Sequence, residues 1–191
     1  VATIISLTQL ASGHSSAEGV AENQPAKLAA LEGHFEANEP ADMYLFGWVD
    51  KKNQEVTGVK IPGGLSFLLD YDFDTPVKGL NAFPKDEIPT QINAVFQFYH
   101  IMVFIGMFFI GLTLYASYLW WKGKLFERKW LLRIFAFSVL LPQIANQVGW
   151  FAAEMGRQPW VVYGHLRTNQ AFSQEVSSNQ ILFSLILFFV V

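Results

Sequence analysis

The chain has 191 residues, of which 52% are hydrophobic, 16% aromatic and only 15% charged. With a positive mean hydropathy, this balance points to a membrane protein with lipid as a partner. A formal charge of −3 gives no footprint for nucleic acid, and the absence of cysteine excludes disulfides and thiolate metal ligands.

Residues 1–11, VATIISLTQLA, form an apolar stub without an initiating Met or a basic flank. They read as the end of a transmembrane helix rather than a signal peptide. Residues 12–91 follow, richer in acids than in bases and too long for a plain connector. Their apolar stretches LFGW and GLSFLLDYDF argue against disorder. Within them Gln24–Glu36, QPAKLAALEGHFE, predicts a helix, because Pro25 suits a first-turn position and Ala, Leu, Lys and Glu are good formers. Pro62, Gly63, Gly64, Pro76, Pro84 and Pro89 predict extended segments and turns beyond it.

Residues 92–121 carry no Asp, Glu, Lys or Arg and exceed the roughly 20 residues that a transmembrane helix needs. Tyr118, Trp120 and Trp121 supply an aromatic belt at its end. The turn at 122–128 and its flanks hold Lys122, Lys124, Arg128, Lys129 and Arg133 against Glu127 alone. The positive-inside rule therefore places it in the cytoplasm. A second span covers 129–154, with Trp130 and Trp150 near its ends. Alternation puts the segment 12–91 and the loop 155–178, which contains GRQPW, on the outer face. Residues 179–191 read as a truncated transmembrane helix, too short to cross a bilayer. The expected fold class is an all-α integral membrane protein, a transmembrane helix bundle with a long outer (periplasmic) loop domain. Its incomplete ends predict a piece of a larger polypeptide.

The polar residues within the spans are the candidates for function. Gln143, Gln147, Trp150 and Glu154 are spaced by 4, 3 and 4 and share one helical stripe, with Asn146 beside it. Such residues mark a functional site facing the bundle interior by default. Interhelical hydrogen bonding by the amides, with Glu154 paired to Arg157 at i+3, accounts for the same pattern, and the spacing leaves both readings open. On the first span His100 and Met102 lie about 200° apart around the helix and so serve different neighbours. Met102 has Gly106 one turn further on, leaving room for a flat macrocycle, and a thioether is an axial ligand of haem iron. A methionine on an apolar helix is otherwise packing. His100 reads as a hydrogen-bonding or proton-handling residue. Lys27 and Glu32 lie about 140° apart on their helix, and without further information form a solvated face. His14, His34 and His165 have surface readings.

The segments QPAKLAALEG, LFGW, DTPVKGL, FYHIMV and GWFAAEMGRQPW, in this order and alternating with the spans, resemble subunit I of the cytochrome bd quinol oxidases. The resemblance runs nearly end to end. It implies that the chain starts at the end of the family's sixth span, continues through the outer quinol loop and the seventh and eighth spans, and stops within the ninth. Met102 then matches the axial ligand of a low-spin haem b, whose partner His belongs to the absent part. Glu154 resembles the axial carboxylate of a high-spin haem b, Arg157 the partner of haem propionates, and Trp150 joins the cofactor-binding residues. Lys27 and Glu32 resemble the pair implicated in quinol oxidation. His100, near the low-spin haem, stands where relatives carry an arginine, and the outer loop looks short against relatives with a long insertion.

The implied function is that of part of a terminal respiratory oxidase in the bacterial cytoplasmic (inner) membrane. Quinol is oxidised at the outer face and oxygen is reduced to water, generating proton motive force without pumping. The ligand of haem d lies outside this chain. Partners are quinol, oxygen, the remainder of subunit I and subunit II, without which the chain is inactive. The alternatives are a membrane transporter and a non-catalytic scaffold subunit without haem.

Overall fold

The computed structural model describes residues 1–173 and 175–190. Helix α1 (Ala2–Asn23) opens the chain. A membrane helix was expected to end at residue 11, but α1 runs on through 12–23, a stretch with no proline and only Gly13 and Gly19 as poor formers. It stops at Gln24, which takes a non-helical backbone because the residue before a proline is sterically excluded from the helical region. Near its start, the Thr3 hydroxyl reaches Ser117 Oγ at 2.6 Å and donates to the Thr113 carbonyl at 3.2 Å. Both partners lie towards the far end of α4 (Ile92–Trp121), so the start of α1 packs beside that end of α4.

Helix α2 (Pro25–Glu32) begins on its proline and ends at Gly33, whose φ of 68° is left-handed. The His34 N–H closes the end on the Ala29 carbonyl at 2.9 Å. This cap stops the helix four residues before the expected Glu36. A Cβ at Gly33 would also fall 2.8 Å from Val56 Cγ2, so conformation and space both demand glycine here.

The chain is mostly helical but not all-α, which corrects the expected class. β1 (Ala37–Pro40) pairs antiparallel with β4 (Pro76–Lys78), and β2 (Met43–Asp50) with β3 (Glu55–Ile61). Helix α3 (Gly64–Asp70) lies between β3 and β4 in the chain. The β2–β3 hairpin forms where aromatic and β-branched residues concentrate, among them Tyr44, Phe46, Trp48, Val49, Val56 and Val59.

Two helical stretches, Ile92–Trp121 and Lys129–Gly156, are long and apolar enough to cross a membrane. The second is interrupted: α5 (Lys129–Phe137) passes through a 3₁₀ turn at Ser138–Leu140 into α6 (Leu141–Gly156). The cause is Pro142, which has no N–H to offer the Ser138 carbonyl. That carbonyl instead accepts the Leu141 N–H. Large apolar side chains such as Phe104, Trp121, Phe137 and Val139 point outward from both stretches, as lipid-facing helices require. β5 (Trp160–Val162) and β6 (Leu166–Arg167) form a third small sheet after α6, and α7 (Ser178–Val190) buries none of its residues.

The principal core joins α2, the start of α4 and the end of α6 through Ala29, Ala30, Val95, Phe96 and Ala152. A polar stripe on α4 fastens the hairpin to it. Asn93 Oδ1 accepts the Val49 N–H at 3.0 Å, Gln97 donates to the Gly47 carbonyl at 2.6 Å, and His100 Nε2 lies 2.8 Å from the Tyr44 carbonyl. Spacings of four and three put these three side chains on one face.

Candidate functional site

Helix α6 has two unlike faces. Gly149, Ala152 and Gly156 form the small face turned towards α4, where Ala152 and Gly156 are buried and Gly149 meets Met102. Gln143, Gln147 and Trp150 lie on the other, exposed face, and Trp150 keeps 57% of its surface accessible. The polar stripe therefore faces away from α4 and is not covered by this chain.

Glu154 stands at the end of that stripe and is gripped by Arg157. Arg157 Nε and Nη2 both donate to Glu154 Oε2, at 2.9 and 2.5 Å, while Nη1 donates to the Val161 carbonyl at 3.2 Å. All three guanidinium nitrogens are thus engaged within the chain. The planar fork suits this carboxylate, and Glu154 Oε1 takes none of the arginine's bonds.

Lys27 approaches the same place from α2. Its stem crosses Gly156, where a Cβ would fall 3.3 Å from Lys27 Cγ and 3.2 Å from Val95 Cγ1. Burial lowers the Lys27 pKa, the Glu154 carboxylate raises it, and Arg157 lowers it further. Glu32 points elsewhere, into the core beside α4, and is only 2% exposed. Burial pushes its carboxyl up to about 7, with the Tyr99 hydroxyl acting in opposition. Its Oε2 is a buried atom without a hydrogen-bond partner. Lys27 and Glu32 therefore address different neighbours, as their angular separation requires, and Glu32 does not belong to a solvated face.

Met102 is partly buried, with its sulfur against Gly149 of α6. His100 stacks on Phe96 with ring centroids 3.8 Å apart, and its Nδ1 lies 2.8 Å from the Phe96 carbonyl. Each ring nitrogen thus faces a carbonyl oxygen, and the residue ties α4 to β2. His34 corrects its surface reading: the chain turns inward after Gly33, and its Nε2 lies buried 3.2 Å from the Val77 carbonyl.

The family model for cytochrome bd terminal oxidase subunit I matches residues 1–191. The chain belongs to this family. It is 36% identical over 187 residues to cytochrome bd ubiquinol oxidase subunit 1 of Bacillus subtilis, covering 93% of this chain and 40% of that one. It is 27% identical over 250 residues to cytochrome bd-II ubiquinol oxidase subunit 1 of Escherichia coli, covering 96% of this chain and 48% of the relative. That alignment exceeds the 191 residues present here, so the Escherichia coli relative carries insertions that this chain lacks. The solved bd oxidase of Geobacillus thermodenitrificans superposes with a TM-score of 0.70 at 34% identity, covering 98% of this chain and 44% of that chain. The chain spans less than half the length of each of these relatives.

Members of the cytochrome bd family carry haem, and the donors present suit it. Met102 offers a neutral thioether and Glu154 an anionic oxygen in Oε1, both known types of iron ligand. A Cβ at Gly106 would meet nothing within 4 Å, so α4 presents a flat open surface one turn beyond Met102. Four residues of this neighbourhood escaped the sequence reading. Asn93 and Gln97 were detectable from their spacing with His100 on an otherwise apolar helix. Tyr99 and Gly149 carried no signal, since their roles depend on contacts between elements distant in sequence.

Proposed function

We propose that this chain supplies the quinol-oxidising segment and two haem-ligating side chains of a terminal oxidase that couples quinol oxidation to the reduction of oxygen to water. The observation that carries the reading is Glu32, a fully buried carboxyl on α2 with an unpaired Oε2 and a pKa raised to about 7. A quinol gives up two protons with its two electrons. An orphaned carboxylate oxygen titrating near neutrality is a suitable acceptor for one of them. The Lys27 ammonium donates to the other ring oxygen in this reading. Quinol oxygens sit para on the ring, so residues diverging around one helix serve its opposite ends.

Haem iron, when bound, supplies the one-electron chemistry that links quinol to oxygen. Met102 would hold the low-spin haem b and Glu154 the high-spin haem b. Arg157 orients the Glu154 carboxylate through its two bonds to Oε2, so that Oε1 would be the atom offered to the metal. Trp150 lies on the same open face of α6, and His100 keeps the segment before Met102 fastened to the hairpin. The spans sit in the bacterial inner membrane with the turn at 122–128 in the cytoplasm and residues 12–91 outside. The rest of subunit I, which brings the haem d ligand, and subunit II complete the enzyme.

The test is a reduced-minus-oxidised spectrum of the purified complex, with quinol-driven oxygen uptake measured on the same sample. Bands of haem b and a red-shifted haem d are expected, and Glu32→Gln should slow uptake without changing them. A complex devoid of haem, or uptake indifferent to Glu32→Gln, would refute the reading.

A further inference from the structure

At position 149 a side chain as small as a methyl group has no room while the Met102 sulfur stays where it is. A Cβ built on Gly149 would lie 2.5 Å from Met102 Sδ and 3.4 Å from Met102 Cγ. Atoms in contact rest about 3.5–4.0 Å apart, so the sulfur and a methyl group cannot both be where the backbones place them. The sulfur is the atom that would move. It lies near the far end of a side chain with three rotatable bonds, whereas the facing backbone is held by α4 and α6 packing through Val95, Phe96 and Ala152. Alanine is also the better helix former at an interior helical position. Gly149→Ala is therefore a substitution that α6 accepts and that acts on one neighbouring atom.

We propose that Gly149 is a positioning residue for the Met102 thioether, its missing side chain forming the slot that fixes the sulfur between the two spans. The inference rests on the reading of Met102 as an axial ligand of the low-spin haem. A thioether ligand raises the potential of haem iron, so an iron whose sulfur is displaced should become easier to oxidise. The slot also explains why a flexible side chain can serve as a ligand: Gly149 lets the two backbones close on it, which restricts the rotamers that would otherwise carry the sulfur away.

The experiment is a redox titration of the low-spin haem α band in the whole complex, comparing the natural protein with Gly149→Ala and Met102→Leu. The expected result is loss of the low-spin band in Met102→Leu. In Gly149→Ala the low-spin midpoint should fall to lower potential while the high-spin haem bands remain. A Gly149→Ala complex with the natural midpoint and band shape would overturn the slot, provided Met102→Leu has lost the band. A Met102→Leu complex that keeps its low-spin band would instead overturn the ligand assignment. Loss of every haem band together in Gly149→Ala would assign position 149 to general packing of the spans and overturn its specific role.

Discussion

Replacing Glu32 by glutamine removes one proton-binding group from the interior while keeping its shape. Burial raises this carboxyl from 4.5 to about 7, so the folded protein binds the proton more tightly than the unfolded chain. Below pH 4.5 both states are protonated and the contribution to stability is fully present. Between 4.5 and 7 the unfolded chain releases its proton while the folded one retains it, and stability falls as pH rises. Above 7 the loss is complete at about 3 kcal/mol, from roughly 1.4 kcal/mol per unit of pKa. Thermal unfolding of the purified complex from pH 5 to pH 8 should show the natural protein losing ground to Glu32→Gln by an amount of this order. A quinol analogue that donates its hydroxyl to Oε2 stabilises the ionised form and should flatten the difference. Parallel pH curves for the two proteins would refute the placement of an ionisable, unpaired carboxyl in this core.

Met102→Leu should abolish the low-spin haem band and quinol-driven oxygen uptake together; retained low-spin absorbance would show that the sulfur is not the ligand. Glu154→Ala should disturb the high-spin haem and leave Arg157 without its carboxylate, and unchanged haem content with full oxygen uptake would defeat the assignment. Gly156→Ala presses a methyl group against Val95 and the Lys27 stem. It should raise the KM for quinol on the order of tenfold, equivalent to about 1.4 kcal/mol, with the haem spectrum preserved; an unaltered KM would separate Lys27 from quinol. Asn93→Ala leaves the Val49 N–H without its acceptor at a cost of about 1–3 kcal/mol. Faster amide exchange in β2 and β3 is the expected signature, and unchanged exchange would mean that the hairpin is held by other contacts.

The spans were legible in the sequence because an apolar run of this length with so few charges has few other uses. Pro25 announced the start of α2. Its end was misjudged because the periodicity of QPAKLAALEGHFE continues past Gly33, and only the contact with Val56 shows why glycine ends the helix there. The bend at Pro142 was also missed, since a proline in an apolar run alters neither composition nor length. Most of the site depended on contacts that no local pattern encodes. Lys27 against Gly156, Glu32 beside Tyr99 and Met102 against Gly149 each join segments more than forty residues apart. The surface reading of Glu32 failed because its helix is covered by α4, a fact of tertiary packing alone.

The 3₁₀ turn at Ser138–Leu140 gives the second span a joint. Its freed carbonyl accepts the Leu141 N–H, and the Ser138 hydroxyl donates to the Phe135 carbonyl at 3.0 Å, which lowers the cost of such a joint in lipid. Below it, α5 is seated through Leu131 in the cluster with Leu112 and Leu119; above it, α6 is seated through Ala152 in the cluster with α2. The two halves of the span thus pack against opposite ends of α4.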